Sequence, residues 1–235
     1  DKTGTLTMNR MSVVSSAFDC PENIIVDAVA VNSTADLTLN DDGSVQAIGN
    51  PTECALLRWI SDEYGADYRD IRSRYVVESI VPFSTETKYM QTICRDKETG
   101  ELFRFVKGAP EILLDMCDGI AGNVSREHIL ETLAGYQAKA MRTLAFATQR
   151  LDGASCGKLV FQGVVGIADP VRDDVKEAIH ICKDKAKVRV IIVTGDTPGT
   201  ANEIGRQIGL IDSDEPNQTI TGIEFAAMSD EQARE

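Results

Sequence analysis

The sequence predicts two architectures in one chain: a discontinuous, doubly wound α/β domain, and an α+β unit built around an antiparallel sheet and inserted after that domain's first strand. Three observations carry this reading. Short β-branched and aromatic runs fill residues 75–107 and are broken by a hairpin signal. The last third alternates amphipathic helix, apolar strand and helix, which is half of a doubly wound fold. Asp1-Lys-Thr-Gly-Thr-Leu-Thr7 and Thr194-Gly-Asp196 both fall at strand ends, where such folds hold their ligands. The expected segments are therefore 1–9 and 168–235 for the α/β domain and 10–167 for the insert.

Along the chain, Thr3 to Met11 is a polar turn leading into the apolar Met11-Ser-Val-Val14. Ile25, Ala28, Val29 and Asn32 recur at helical spacing, so a helix is predicted within 22–35. Residues 37–48, rich in Asp, Asn and Gly, read as a loop or hairpin, and Pro51 opens a helix whose apolar face is Ala55, Leu56, Trp59 and Ile60. Strands are predicted over 76–81, 89–95 and 102–107, with Asp96-Lys-Glu-Thr-Gly100 as the hairpin between the last two. Helices over 110–116 and 125–140 precede strands over 142–148 and 159–167. Val171, Val175, Ala178, Ile179 and Cys182 form the next amphipathic face, with Asp173 and Asp174 suited to that helix's N-terminal dipole. Val188 to Val193 reads as a strand buried on both faces, and a last helix through Ala201, Ile204 and Ile208 stops at Gly209.

Composition narrows the function classes. At 235 residues, with 43% hydrophobic and 26% charged side chains, the chain has the make-up of an ordinary globular protein of one large or two smaller domains. Its longest apolar runs fall far short of the roughly 18 residues that suggest a membrane span, and no signal peptide opens it. The first residue lies inside a motif and is not Met, which reads as a piece of a longer protein. A net charge of −13 disfavours nucleic acid and anionic membrane as partners. The six cysteines include no C-x-x-C pair and fit reduced cytosolic thiols better than a zinc site or a disulfide framework.

The chemistry concentrates at the start. An aspartate nucleophile such as Asp1 splits a difficult hydrolysis into two easier steps through an acyl phosphate. It also offers a hard ligand to Mg²⁺, and the carbonyl or hydroxyl of Thr3, two residues on, can face the same metal and phosphate. The heptapeptide at 1–7 resembles the phosphorylation motif of the P-type ion-pumping ATPases, and further matches run through the chain in the family's order. The family resembles in fold the haloacid-dehalogenase-like group, in which the position of Thr3 is often an Asp serving rapid dephosphorylation. Threonine cannot do that, so the resemblance implies a long-lived phosphoaspartate suited to a pump.

The same resemblance assigns roles around ATP. Phe83-Ser-Thr-Glu-Thr-Lys-Tyr-Met90 is similar to the segment whose ring stacks on adenine, here Phe83, with Lys88 nearby. Lys107-Gly-Ala-Pro-Glu111 resembles the nucleotide-pocket motif, with Lys107 as a point charge and Gly108 allowing close backbone approach. Arg142 in Met141-Arg-Thr-Leu144 would reach the phosphates. Glu53, in Gly49-Asn-Pro-Thr-Glu-Cys-Ala-Leu56, would face the adenine amino group, or else close a capping box; the sequence leaves both open. Asp169-Pro-Val-Arg172 resembles the hinge where the insert rejoins the phosphorylation domain, and Thr194, Gly195 and Asp196 would hold the γ-phosphate end. Lys88, Lys107, Arg142 and Arg172 together give an acidic chain the local positive charge that ATP needs.

Two departures stand out. Thr85 occupies a position where several calcium pumps carry an arginine, and the sequence stops at Glu235, before the family's Thr-Gly-Asp-Gly-x-x-Asn-Asp motif. The resemblance thus implies the nucleotide-binding domain plus an incomplete phosphorylation domain, binding ATP and Mg²⁺ without turnover. The parent would be a membrane pump of the calcium branch, with transmembrane and actuator domains as partners of this cytosolic portion. Another cation branch, a soluble phosphatase of the haloacid-dehalogenase-like group with a large cap, and a simple nucleotide-binding module remain the alternatives.

Overall fold

The computed structural model describes residues 2–40, 45–152, 157–211, 219–229 and 231–232. Asp1, the proposed nucleophile, and Cys156 lie outside them. The chain divides into two compact units: Arg10–Gln137 with Met141–Ala168, and Asp1–Asn9, Ala138–Ala140 and Asp169–Glu235.

The larger unit carries, in chain order, β1 (Ser12–Phe18), α1 (Glu22–Val31), β2 (Asp36–Leu39), β3 (Val45–Ile48), α2 (Pro51–Tyr64), α3 (Tyr68–Ser73), β4 (Tyr75–Val81), β5 (Tyr89–Asp96), β6 (Leu102–Gly108), α4 (Pro110–Met116), β7 (Gly119–Ile120), α5 (Arg126–Ala138), β8 (Arg142–Arg150) and β9 (Val160–Ala168). Its sheet runs β1-β9-β8-β6-β5-β4, all antiparallel. The two-residue β7 pairs in parallel with Val160 and Phe161 of β9, just past Gly163 where β1 stops. β2 and β3 form a separate hairpin.

Period-two alternation places the strands' side chains on two faces, and helices cover both. Phe105, Phe146, Val165 and Ile167 join Ile25, Val29, Leu56, Leu57 and Ile60 in one core. Their sequence neighbours Val106, Ala145, Ala147 and Val164 pack on the other side with Leu113, Leu114, Ile129 and Leu133. Phe18 links the first core's edge, stacking on Trp59 at 5.8 Å and tilting against Phe146 at 6.0 Å. The hairpin predicted at 96–100 is present, and Gly100 closes it at φ +74°.

Local signals set the helix ends. The Asn50 side chain accepts from Thr52 N at 2.8 Å, Pro51 occupies the first turn, and Gly65 ends α2 at φ +63°. Asp67 caps α3 in the same way through Arg69 N at 2.8 Å. The sequence pattern missed α3, a six-residue helix with only two buried positions, Tyr68 and Ile71.

The smaller unit differs from expectation. It contains α6 (Val175–His180), a π turn over Ile181–Lys185, α7 (Pro198–Gln207) and α8 (Gly222–Ala226), but no strand among its described residues. Val188 to Val193 joins no sheet among the described residues, with Val188, Ile191 and Val193 exposed while Val190 and Ile192 pack against Val175, Ile179 and Ile208. A strand exists only when its N–H and C=O groups pair along a neighbouring strand; no described strand lies alongside, and the Val188 N–H bonds the Cys182 carbonyl at 2.8 Å instead. The helix read from Val171 begins at Val175, because Val171 instead bridges Thr7. Gly209 follows α7 at φ +73°, as the pattern indicates.

Gly163 is fixed by geometry. At φ +153° it lies where β1 crosses β9, and an added Cβ would sit 2.3 Å from the Ala17 carbonyl oxygen and from the Phe18 ring. Gly163→Ala should therefore prise β1 from β9 and cost about 1–3 kcal/mol, read as a lower urea midpoint at unchanged slope.

Candidate nucleotide site

One end of the large sheet gathers residues from distant parts of the sequence. β5 starts there at Tyr89, opposite Gly108, where β6 ends, and Gly108 in turn faces Ala145 near the start of β8. The connection from β4 to β5, carrying Phe83 and Lys88, arrives at the same end, as does the first turn of α2 through its bond to Arg142.

At the centre is an ion pair. Lys107 Nζ lies 2.5 Å from Glu53 Oε1 and 2.5 Å from the Asn32 carbonyl oxygen. Glu53 Oε2 accepts from the Thr34 backbone N–H at 3.1 Å and from its hydroxyl at 2.9 Å. Lys107 is 5% exposed and Glu53 8%, so both charges are largely removed from water. Burial pushes the Glu53 carboxyl upward, but the Lys107 ammonium and the Thr34 donors outweigh it and hold the group below its ordinary value. Burial draws Lys107 down from the usual lysine range, with Glu53 pulling against it. Asn32 is itself buried and fixed, donating to the Met90 carbonyl at 3.3 Å and accepting from the Thr92 hydroxyl at 2.9 Å.

The capping-box reading of Glu53 does not hold. Asn50 alone caps α2 from its side chain, while the Glu53 carboxylate points to Lys107 and Thr34 and closes no capping box. Gly108 also has a specific reason: its absent Cβ would fall 2.5 Å from the Lys88 carbonyl oxygen and 2.6 Å from Tyr89 Cβ. The close approach that glycine permits is made by the chain itself. Lys88 occupies the left-handed region at φ +60°, and its carbonyl accepts from Ala109 N at 3.0 Å.

Phe83, Lys88 and Arg142 are outward. Phe83 is 59% exposed on the connection before β5, where the Ser84 hydroxyl accepts from Thr87 N at 3.1 Å. Arg142 reaches Thr52 Oγ1 at 2.8 Å, one residue from Glu53. Thr34, Asn32 and Thr52 escaped the sequence reading. Each acts through a backbone group or a hydroxyl, which leaves no distinctive spacing to find.

The remaining predicted residues belong to the smaller unit. Asp169 Oδ2 accepts from the buried Thr7 hydroxyl at 2.6 Å. Arg172 donates to the carbonyls of Thr7 at 3.2 Å and Gly4 at 3.0 Å, so its guanidinium serves the chain there and ties 169–172 to 2–9. Asp196 pairs with Lys2 at 2.8 Å, and its N–H bonds the Thr194 hydroxyl at 3.1 Å, with Gly195 between them. Thr3 lies exposed in the turn after Lys2. Among the described residues no group of three or more His, Cys, Asp or Glu side chains gathers to hold a metal.

An antiparallel sheet with helices on both faces is consistent with a nucleotide-binding domain. The family model for the P-type ATPase cytoplasmic domain N matches residues 21–174, and the chain belongs to that family. It is 35% identical over 241 residues to the calcium-transporting ATPase PAT1 of Dictyostelium discoideum, covering 90% of this chain and 21% of that protein. It is 30% identical to the plasma membrane-type calcium-transporting ATPase 2 of Arabidopsis thaliana, over 91% of this chain and 24% of the relative. A calcium-transporting ATPase of Listeria monocytogenes shares 32% identity over 99% of this chain and 29% of its own length. The chain thus spans less than a third of these relatives. No helix among the described residues is long and apolar enough to cross a membrane.

The pair makes stability pH-dependent. Because the folded Glu53 carboxyl is held below its unfolded value, the pair's contribution is whole above about pH 4.3, the ordinary glutamate range. It is lost as pH falls through the depressed folded value. Glu53→Gln should remove that acid-sensitive part of the stability, whereas Lys107→Met, leaving a buried carboxylate unpaired, should cost about 3–5 kcal/mol at neutral pH. Urea unfolding of the three proteins across pH 3–7 checks both.

Proposed function

We propose that the larger unit binds ATP, and that the chain is the nucleotide-binding domain with part of the phosphorylation domain of a P-type ATPase. The observation that carries the reading is a collection of basic side chains, Lys88, Lys107 and Arg142, at one sheet end beside an exposed aromatic ring in a protein of net charge −13. A polyanion is repelled by such a chain except where cations are gathered. Phe83 gives a base a face to stack on, and Lys88 and Arg142 give phosphates two exposed cations.

The inner pair suits a purine edge. A carboxylate offers about four lone-pair sites and an ammonium three donors. Lys107 and the two Thr34 donors fill three of the first set, and Asn32 and Glu53 take two of the second. One acceptor and one donor remain for a ligand. Mg²⁺ would arrive with the phosphates, which supply the oxygen ligands that a Mg²⁺ site needs beyond one or two carboxylates. Asp1 and Thr3 are the chain's own candidates to complete that shell.

In the parent pump the carboxylate of Asp1 would take the γ-phosphoryl group with release of ADP, and water would later cleave the acyl phosphate. Residues 1–9 and 168–235 would then form part of a haloacid-dehalogenase-like phosphorylation domain, with 10–167 as its insert. The named relatives make calcium the leading cargo, and the transmembrane and actuator domains the partners, of a cytosolic portion of an integral membrane protein.

Calorimetric titration of ATP into the 235-residue chain tests the nucleotide reading. One-to-one binding is expected, and Phe83→Ala should weaken it about tenfold through lost stacking. Since Phe83 is exposed, its melting temperature should stay within a degree or two of the parent. This variant is cleaner than Lys107→Ala, which would also strand Glu53. Absence of binding to the folded chain overturns the reading.

A further inference from the structure

Arg72 lies outside every motif singled out above, and its guanidinium is half-buried at the end of α3. It makes three hydrogen bonds, all to backbone carbonyls of one short segment. Its Nε donates to Ala30 O at 2.7 Å, and its Nη2 donates to Ser33 O at 3.1 Å and Ala35 O at 3.0 Å. The guanidinium also stacks on the buried Tyr68 ring, 4.8 Å from its centre. Tyr68 in turn accepts from Leu37 N at 2.9 Å, so the fork and the segment's far end rest on one ring.

The segment it grips is the wall of the nucleotide site. Ser33 and Ala35 flank Thr34, whose N–H and hydroxyl hold Glu53, and the Asn32 carbonyl between Ala30 and Ser33 holds Lys107. α1 ends at Val31 with no basic residue in its last turn, so Arg72 also supplies the positive charge that a helix C-terminus favours. A planar fork can satisfy three carbonyls in a fixed plane; the single ammonium of a lysine cannot.

We propose that Arg72 is a positioning residue for nucleotide binding: by clamping the carbonyls on both sides of Thr34 it fixes Thr34 and Asn32, and through them the Glu53–Lys107 pair. It touches no ligand. The proposal rests on the nucleotide reading given above, and concerns what aligns that site.

ATP affinity and melting temperature of the full chain should be measured for the wild type, Arg72→Gln, Arg72→Lys, Thr34→Val and the Arg72→Gln/Thr34→Val double variant. Loss of charge-assisted hydrogen bonds from the clamp should weaken ATP about tenfold in Arg72→Gln. Thr34→Val should weaken it comparably, and the double variant should be no weaker than about twofold beyond either, as expected for residues acting through one path. Arg72→Lys should recover the melting temperature but not the affinity, and it keeps the test open if Arg72→Gln does not fold. If the wild type binds and Arg72→Gln binds equally well, if the two losses multiply, or if lysine restores stability and affinity together, Arg72 is only a structural residue. Failure of the wild type itself to bind would instead overturn the nucleotide reading and take the clamp with it.

Discussion

The buried pair between Lys107 and Glu53 is the constraint around which the larger unit is organised. Two opposite charges, 5% and 8% exposed, are stable only if each is met by the other and by further hydrogen bonds. That requirement fixes the end of β6 against the first turn of α2, and brings the loop after α1 over both. Asn32 must present its carbonyl, Thr34 its N–H and hydroxyl, and Arg72 must hold the peptide units between. The apolar cores on the two sheet faces then carry the bulk of the stability, while the pair sets the register of the elements at the site.

On the nucleotide reading proposed above, a site built this way would be prepared before any ligand arrives. Most of the pair's hydrogen-bonding capacity is spent within the chain, so a ligand meets oriented groups with little freedom left to lose. Such preorganisation lowers the cost of binding without adding contacts. The outer residues follow a different logic: Phe83, Lys88 and Arg142 remain exposed, and in the proposed binding mode they would supply stacking area and charge.

The smaller unit shows how far local pattern can mislead when pairing decides the outcome. The apolar run at 188–193 has the composition of a strand buried on two faces, yet only Val190 and Ile192 turn inward, onto Val175, Ile179 and Ile208. β-structure is a property of neighbours. The helix α7 in the same unit was more legible because its hydrogen bonds are internal, with Thr197 and Pro198 opening it, whereas the short α8, opened by the Thr221–Glu224 capping box, escaped the sequence pattern.

The sequence by itself determined the strands near 76–81, 89–95, 102–107, 142–148 and 159–167, the helices within 22–35, from 51, over 110–116, within 125–140 and through 201–208, and the motifs containing Glu53, Lys107 and Arg142. Period and capping are written within a few residues of where they act. Tertiary structure alone decided that Lys107 answers Glu53, 54 positions away, and that Gly108 admits Lys88 and Tyr89. It alone showed Arg72 gripping three carbonyls some forty residues back. Such contacts involve charges and backbone groups brought together by folding, and a backbone carbonyl looks the same in every residue of a sequence.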